Sequence, residues 1–258
     1  MISPEKITKE TEAFCMANAD EAIVKKYSKY FREGYDAWGV RSELLNQRAD
    51  EILALPGISC TDIHEACILL VRSPKYEMTS IAGLLLKKIK KQWNRESVLA
   101  LEKIFSVGIN NWAHTDWICG EIIPDMIKMK LISMDSLKPW RKAENRFQRR
   151  AAIVGLIKPM KRSSDFNPYF DFIDPMMMDE ERVVHQGLGW FLREAWKKQS
   201  GPAEKFLLKW KDSSARLIFQ YATEKMTPEQ KARFRKAKRT KPDKAGLHHQ
   251  AGFVLDVI

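Results

Sequence analysis

An all-α array of stacked helix pairs is the fold this sequence predicts, on three observations. Apolar residues recur at three and four positions along the chain, and no stretch alternates at two as a strand does. Short breaks at Gly and Pro divide the chain into segments of helical length. Amphipathic segments holding Leu84, Ile122, Val154 and Trp190 follow one another 32–38 residues apart, near the ~40-residue period of HEAT-type helix pairs. One pair cannot bury its apolar face alone, but stacked pairs share a core and leave a concave surface. The expectation is a HEAT-like α-α superhelix with a concave basic face. It takes residues 1–235 as one domain and 236–258 as a basic tail.

The elements follow in order. Residues 4–33 read as one or two helices with Phe14, Ile23, Tyr27, Tyr30 and Phe31 on their apolar side, and Gly34 and Gly39 bracket a turn. A helix from Arg41 ends at Leu55-Pro56-Gly57; the next is capped by Thr61 or Asp62 and stopped by Ser73-Pro74. From Met78 to Trp93, Ile81, Leu84, Leu85 and Ile89 line one side, and Lys87, Lys88, Lys90 and Lys91 cluster on the others. Such a stripe is most often a solvated face, and it counts for binding only if it lies along a groove. Helices over 98–105 and 111–130 follow, the second interrupted at Pro124. Residues 144–157 form another, closed by Lys158-Pro159, and 163–175 read as loop. Met176-Met177-Met178 reads as core filling, and Asp179-Glu180-Glu181 as the acidic first turn of a helix to Trp196. Ser200-Gly201-Pro202 breaks that helix, one or two more span 206–221, and Thr227-Pro228-Glu229-Gln230 is a capping box.

At 258 residues, with 45% hydrophobic and 30% charged residues, the chain is a folded protein with room for a sizeable core. No apolar run reaches bilayer length, and Met1-Ile2-Ser3-Pro4-Glu5-Lys6 lacks a signal-peptide core. An intracellular place, cytoplasm or nucleoid/nucleus, with no membrane partner, is therefore expected. Cys15, Cys60, Cys67 and Cys119 are scattered without a CxxC pair, which suits reduced thiols. The net charge of +11 favours polyanionic partners, nucleic acid above all. Residues 231–258 hold eight Lys or Arg against two Asp, so the tail carries about half of that surplus.

The chain centres on Asn111-Trp112-Ala113-His114-Thr115-Asp116. On a helix, Trp112 and Asp116 stand one turn apart on one face. Aromatic faces attract cations, and a carboxylate stabilises positive charge developing beside it. Residue types alone leave the pair open between that use and an ordinary core Trp beside a solvated Asp. Trp190, followed by Phe191 and Leu192, is open in the same way. Arg193-Glu194 reads as a structural ion pair. No His or Cys spacing suits a metal, and no Gly-rich phosphate loop or GxSxG occurs, so neither metal nor cofactor is expected.

Three segments stand in order: Asn111-Trp112 with Asp116, then Arg149-Arg150-Ala151-Ala152-Ile153, then Gly189-Trp190-Phe191-Leu192-Arg193-Glu194. Together they resemble the AlkD-like DNA alkylation repair family, with its NW-x3-D, RRxAI-type and GWxLRE segments. Gly39-Val40-Arg41-Ser42-Glu43-Leu44 is similar to that family's GV-x3-L segment, and the resemblance covers roughly residues 20 to 235. It implies a monomeric solenoid that cradles duplex DNA and removes cationic alkylated purines such as 3-methyladenine and 7-methylguanine, without flipping the base into a pocket. Trp112 and Trp190 would wall the site and Asp116 would be its catalytic carboxylate. Arg150, with Arg149 competing for the role, would hold the DNA backbone. Apart from the resemblance, Lys87, Lys88 and Lys91 of the basic stripe are candidate phosphate contacts if that stripe lies along the groove. His114 departs from family versions with an apolar residue there.

The chemistry agrees with the residues. A cationic alkylpurine departs neutral, so it needs no general acid and no second carboxylate. One ionised Asp suffices to stabilise an oxocarbenium-like sugar and orient water. Each indole face adds attraction of about 0.5–2 kcal/mol for a cation. The rival from another class is a non-catalytic helical-repeat module that binds DNA or a protein through the same face. The two part on Asp116, since an anion facing phosphates only weakens binding.

Overall fold

Most helices begin where the sequence supplies a cap or a proline. The computed structural model describes residues 3–236, so the tail expected at 236–258, Lys236 aside, lies outside the described residues. Helix α1 (Pro4–Ala17) starts behind Ser3, whose hydroxyl accepts from Lys6 N–H, and α2 (Glu21–Ser28) behind Asp20. Then come α3 (Ser42–Leu53), α4 (Cys60–Leu70), α5 (Tyr76–Lys88) and α6 (Arg95–Val107). The cap of α4 is Ser59 rather than Thr61, and Asp62 returns the second bond of its capping box. Helix α7 (Trp112–Glu121) is capped by Asn111, and α8 (Ile123–Lys128) carries Pro124 in its first turn.

Helix α9 (Arg146–Val154) is capped by Asn145 and followed by α10 (Ile157–Arg162) and α11 (Asn167–Ile173). Here the chain departs from the sequence reading. Pro159 does not close a helix but sits inside the first turn of α10, and Pro168 likewise opens α11 where a loop is expected. A first turn tolerates proline because its N–H groups have no intrahelical partner. Asp179, Glu180 and Glu181 precede α12 (Arg182–Lys198) rather than forming its first turn, and Ser200 already belongs to α13 (Ser200–Trp210). Met176 and Met177 are buried, whereas Met178 is exposed. The series ends with α14 (Arg216–Ala222) and α15 (Pro228–Ala232), the latter behind the Thr227–Gln230 box. No strand occurs among the described residues, and no helix there is long and apolar enough to cross a membrane.

The helices stack as a right-through array. Helices α3, α5, α7, α9, α12 and α14 pack in succession as one row, while α1, α4 and α6 back its first half. Fully buried Leu85, Ile122, Ile153, Leu188 and Phe191 fill the space between, each contributing about 1.5–3 kcal/mol of burial. The repeat is written into the polar bonds as well. His114 meets Ser80 across 34 residues, Lys87 meets Glu121 across 34, Arg150 meets Asp116 across 34, and Gln186 meets Tyr221 across 35. A bond at that nearly constant separation means that each repeat holds the next.

Candidate active site

Three adjoining cavities open along the row, and Tyr30 and Trp112 line all of them. The third, about 380 Å³, brings together Trp112 and Asp116 from α7, Arg150 from α9 and Trp190 from α12. Gln186, Arg193, Tyr221 and Tyr30 complete it.

Asn111 fixes the start of α7. Its side-chain oxygen accepts from His114 N–H at 3.0 Å, and its amide donates to His114 Nδ1 at 2.8 Å. That bond leaves the ring hydrogen on Nε2, which donates to Ser80 Oγ at 3.0 Å, and the ring stacks on Tyr76 with centroids 4.1 Å apart. Burial pushes the His114 imidazole down to about 3. His114 is therefore a neutral strut joining α5 to α7, not a proton carrier. The helix it anchors leaves Trp112 42% exposed, with one face stacked on Phe31 at 5.7 Å between centroids.

One turn on, Asp116 is gripped from behind. Arg150 Nε donates to Oδ1 and Nη2 to Oδ2, both at 2.8 Å, and Nη1 donates to the Val183 carbonyl at 2.7 Å. The Asp116 side chain keeps 18% of its exposure against 7% for Arg150. Both side chains line the cavity, and the carboxylate is the more exposed of the two. Each carboxylate oxygen has a further lone pair beyond the one Arg150 uses. Such a fork also fixes the plane of the acid, which an ammonium cannot do.

Helix α12 brings up Trp190, half-buried against the core. Its neighbour Gly189 has no side chain because α14 passes too close. A Cβ there would stand 2.4 Å from Tyr221 Cβ and 2.7 Å from the Ile218 carbonyl. That close approach seats Tyr221 beside Gln186, whose amide donates to the Tyr221 hydroxyl at 2.7 Å.

The other sequence-derived candidates lie elsewhere. Arg149 points away from Arg150, with Nε donating to Asp179 at 2.7 Å and Nη1 to the Ala143 carbonyl at 2.8 Å. Its surroundings are those of a structural arginine, whereas Arg150 turns to Asp116. Arg150 reaches the cavity, but as the partner of Asp116 and not as an uncommitted cation. Lys87 pairs with Glu121 at 2.6 Å and lies over Trp117, while Lys88 pairs with Asp50 at 2.7 Å. Lys91 is exposed on the turn after α5, and none of the three lines the cavity. Among the described residues no three His, Cys, Asp or Glu side chains gather as a metal site.

Sequence reasoning missed Gln186, Tyr221 and Tyr30. Gln186 stands one helical turn before Trp190, so its face was readable. Tyr30 comes from a loop more than eighty residues before α7, and no local pattern announces that meeting.

The model of the family described as DNA alkylation repair enzyme matches residues 15–226. The chain belongs to that family. Membership carries a role in the repair of alkylated DNA. Solved structures agree on the fold. One described as a predicted DNA alkylation repair enzyme from Enterococcus faecalis shares 14% identity at a TM-score of 0.68, covering 82% of this chain and 98% of its own. The smu.31 protein of Streptococcus mutans UA159 shares 21% at 0.55, covering 80% and 99%. AlkD2 from Streptococcus mutans shares 21% at 0.53, covering 80% and 98%. Comparison with curated proteins finds no match. At these identities the likeness fixes the helical-repeat architecture alone.

Proposed function

We propose that this family member is a DNA glycosylase that hydrolyses the N-glycosidic bond of cationic alkylated purines in duplex DNA. The observation that carries it is the convergence of Trp112, Asp116 and Trp190 on one open cavity, where Asp116 is the more exposed partner of its ion pair. The bond between C1′ and the purine nitrogen breaks, and its electron pair neutralises the cationic base, which leaves without a proton. The sugar left behind turns positive opposite Asp116, whose charge stabilises it while the carboxylate orients a water. Water adds to C1′ and gives up its proton to Asp116 or to solvent. The indoles hold the cationic base before it leaves. Arg150 acts through Asp116, keeping the plane of its carboxylate fixed by the two-bond fork. For the duplex, exposed Lys91 is an outlying phosphate contact, and Lys87 and Lys88 share theirs with Glu121 and Asp50.

The test is incubation with methylated duplex DNA and analysis of freed bases. Wild-type protein releases 7-methylguanine. Asp116→Asn abolishes release, with a drop of at least about 100-fold, while duplex affinity stays equal or improves. Unchanged release by Asp116→Asn sinks the assignment, and duplex binding without release by the wild type leaves the non-catalytic module.

A further inference from the structure

The polar bonds described between elements join residues at most 40 apart, with one exception. Glu33, on the loop after α2, pairs with Arg146 at the start of α9, 113 residues away. The same loop lays Phe31 on Trp112. Residues 29–36 therefore strap across the row from the first repeat to the helix that carries Arg150. Its far end is tied down firmly. The buried Glu77 carboxylate accepts the N–H groups of Trp38, Gly39 and Val40 at 3.1, 2.7 and 3.2 Å, and Tyr76 N–H donates to the Asp36 carbonyl at 2.8 Å. Gly39 makes that anchor feasible at φ +84°, where a Cβ would meet the Asp20 carbonyl at 2.1 Å. The crossing end has a weaker hold. Glu33 and Arg146 are 56% and 37% exposed, and Glu181 reaches Arg146 only at 3.4 Å.

Under the strap lies a cavity of about 750 Å³ next to the candidate active site, with Trp112 as a shared wall. Exposed Arg32 and Arg182 line it, together with Asn110 and Asn111. Glu33 itself lines this cavity, so the anion that Arg146 holds sits where two further guanidinium groups and two amides also reach, the environment a backbone phosphate seeks.

We propose that Arg146 is a seat for a DNA backbone phosphate, and that the Glu33 carboxylate holds the phosphate's place until duplex arrives. This rests on the duplex-binding half of the function proposed above, not on its chemistry. A phosphate entering the seat displaces Glu33, frees the strap and uncovers the Phe31 side of Trp112. Exchange of one anion for another makes the step reversible, and it makes Glu33 a competitor of DNA.

The experiment measures affinity for unmodified duplex DNA across a salt series, with base release from methylated duplex assayed in parallel and circular dichroism as the folding check. Glu33→Gln removes the competitor. Exposed ion pairs are weak, so it tightens binding by about two- to fivefold. Arg146→Gln weakens binding and lowers the salt slope by about one. In the double variant the gain from Glu33→Gln disappears, because there is no seat to vacate. Unchanged affinity of Glu33→Gln, or an unchanged slope in Arg146→Gln, overturns the seat even if wild-type protein releases alkylpurines through Asp116. Tighter Glu33→Gln binding with no base release by any variant keeps the seat and overturns the glycosylase reading. A wild-type chain that does not bind duplex overturns both.

Discussion

Replacing Arg150 by Lys separates charge from geometry at the heart of the site. The guanidinium makes three short bonds, two to Asp116 and one to the Val183 carbonyl. An ammonium can replace only one of them in that space, so two bonds to a charged donor are lost, nominally about 1.5–3 kcal/mol each. Asp116 keeps partial access to water and recovers some of this, which places the net loss near 3 kcal/mol, the lower end for breaking a buried pair. Out of a total stability of about 5–15 kcal/mol that is a large share, and for a chain of this length it lowers Tm by roughly 6–12 °C. Urea unfolding and scanning calorimetry read the stability, and release of 7-methylguanine reads the carboxylate's orientation. In an Asp116→Asn background the same Arg150→Lys change should cost at least about 1 kcal/mol less, because the two residues act as a unit. A single variant within about 0.5 kcal/mol of wild type, with an additive cycle, refutes the view that Arg150 holds Asp116 in place.

Trp112→Ala and Trp190→Ala should each slow release of cationic bases by about 2- to 30-fold, the worth of one cation–π contact, while leaving uncharged lesions little changed; equal losses on both substrate classes count against the indoles as cation walls. Gly189→Ala places a Cβ 2.4 Å from Tyr221 Cβ and should destabilise by about 1–3 kcal/mol in urea titration. His114 predicts an acid response. Its folded value of about 3 lies below the ordinary 6.5, so between those values the unfolded chain binds a proton that the folded chain refuses. Stability from this group is thus full above pH 6.5 and declines as pH falls toward 3, by at most about 1.4 kcal/mol per pH unit. His114→Gln should flatten that decline, and an unaltered pH–stability curve contradicts the neutral buried imidazole.

The stacked-helix fold was legible because burial imposes its period on the sequence, and the segments around Leu84, Ile122, Val154 and Trp190 show it plainly. The meeting of four side chains at one cavity was legible too. Trp112 and Asp116 share a helical face, and the ordered segments bring Arg150 and Trp190 into line with them. Prolines misled at 159 and 168, since the same residue that ends a helix also starts one. The lysines of α5 misled differently. A basic stripe shows its charge but not its partners, and Glu121 and Asp50 lie on neighbouring repeats. Glu33 and Arg146 were beyond reach altogether, because nothing periodic connects positions three repeats apart.

Asn145 does more than start a helix. Its oxygen accepts from Phe147 N–H, while its amide clasps the carbonyls of Phe105 at 2.6 Å and Ile109 at 2.8 Å. One small side chain therefore ties the first turn of α9 to the last turns of α6 and the loop after it. In a spiral staircase each tread rests on the one before, and at this joint α9, with Arg150 on it, rests on α6.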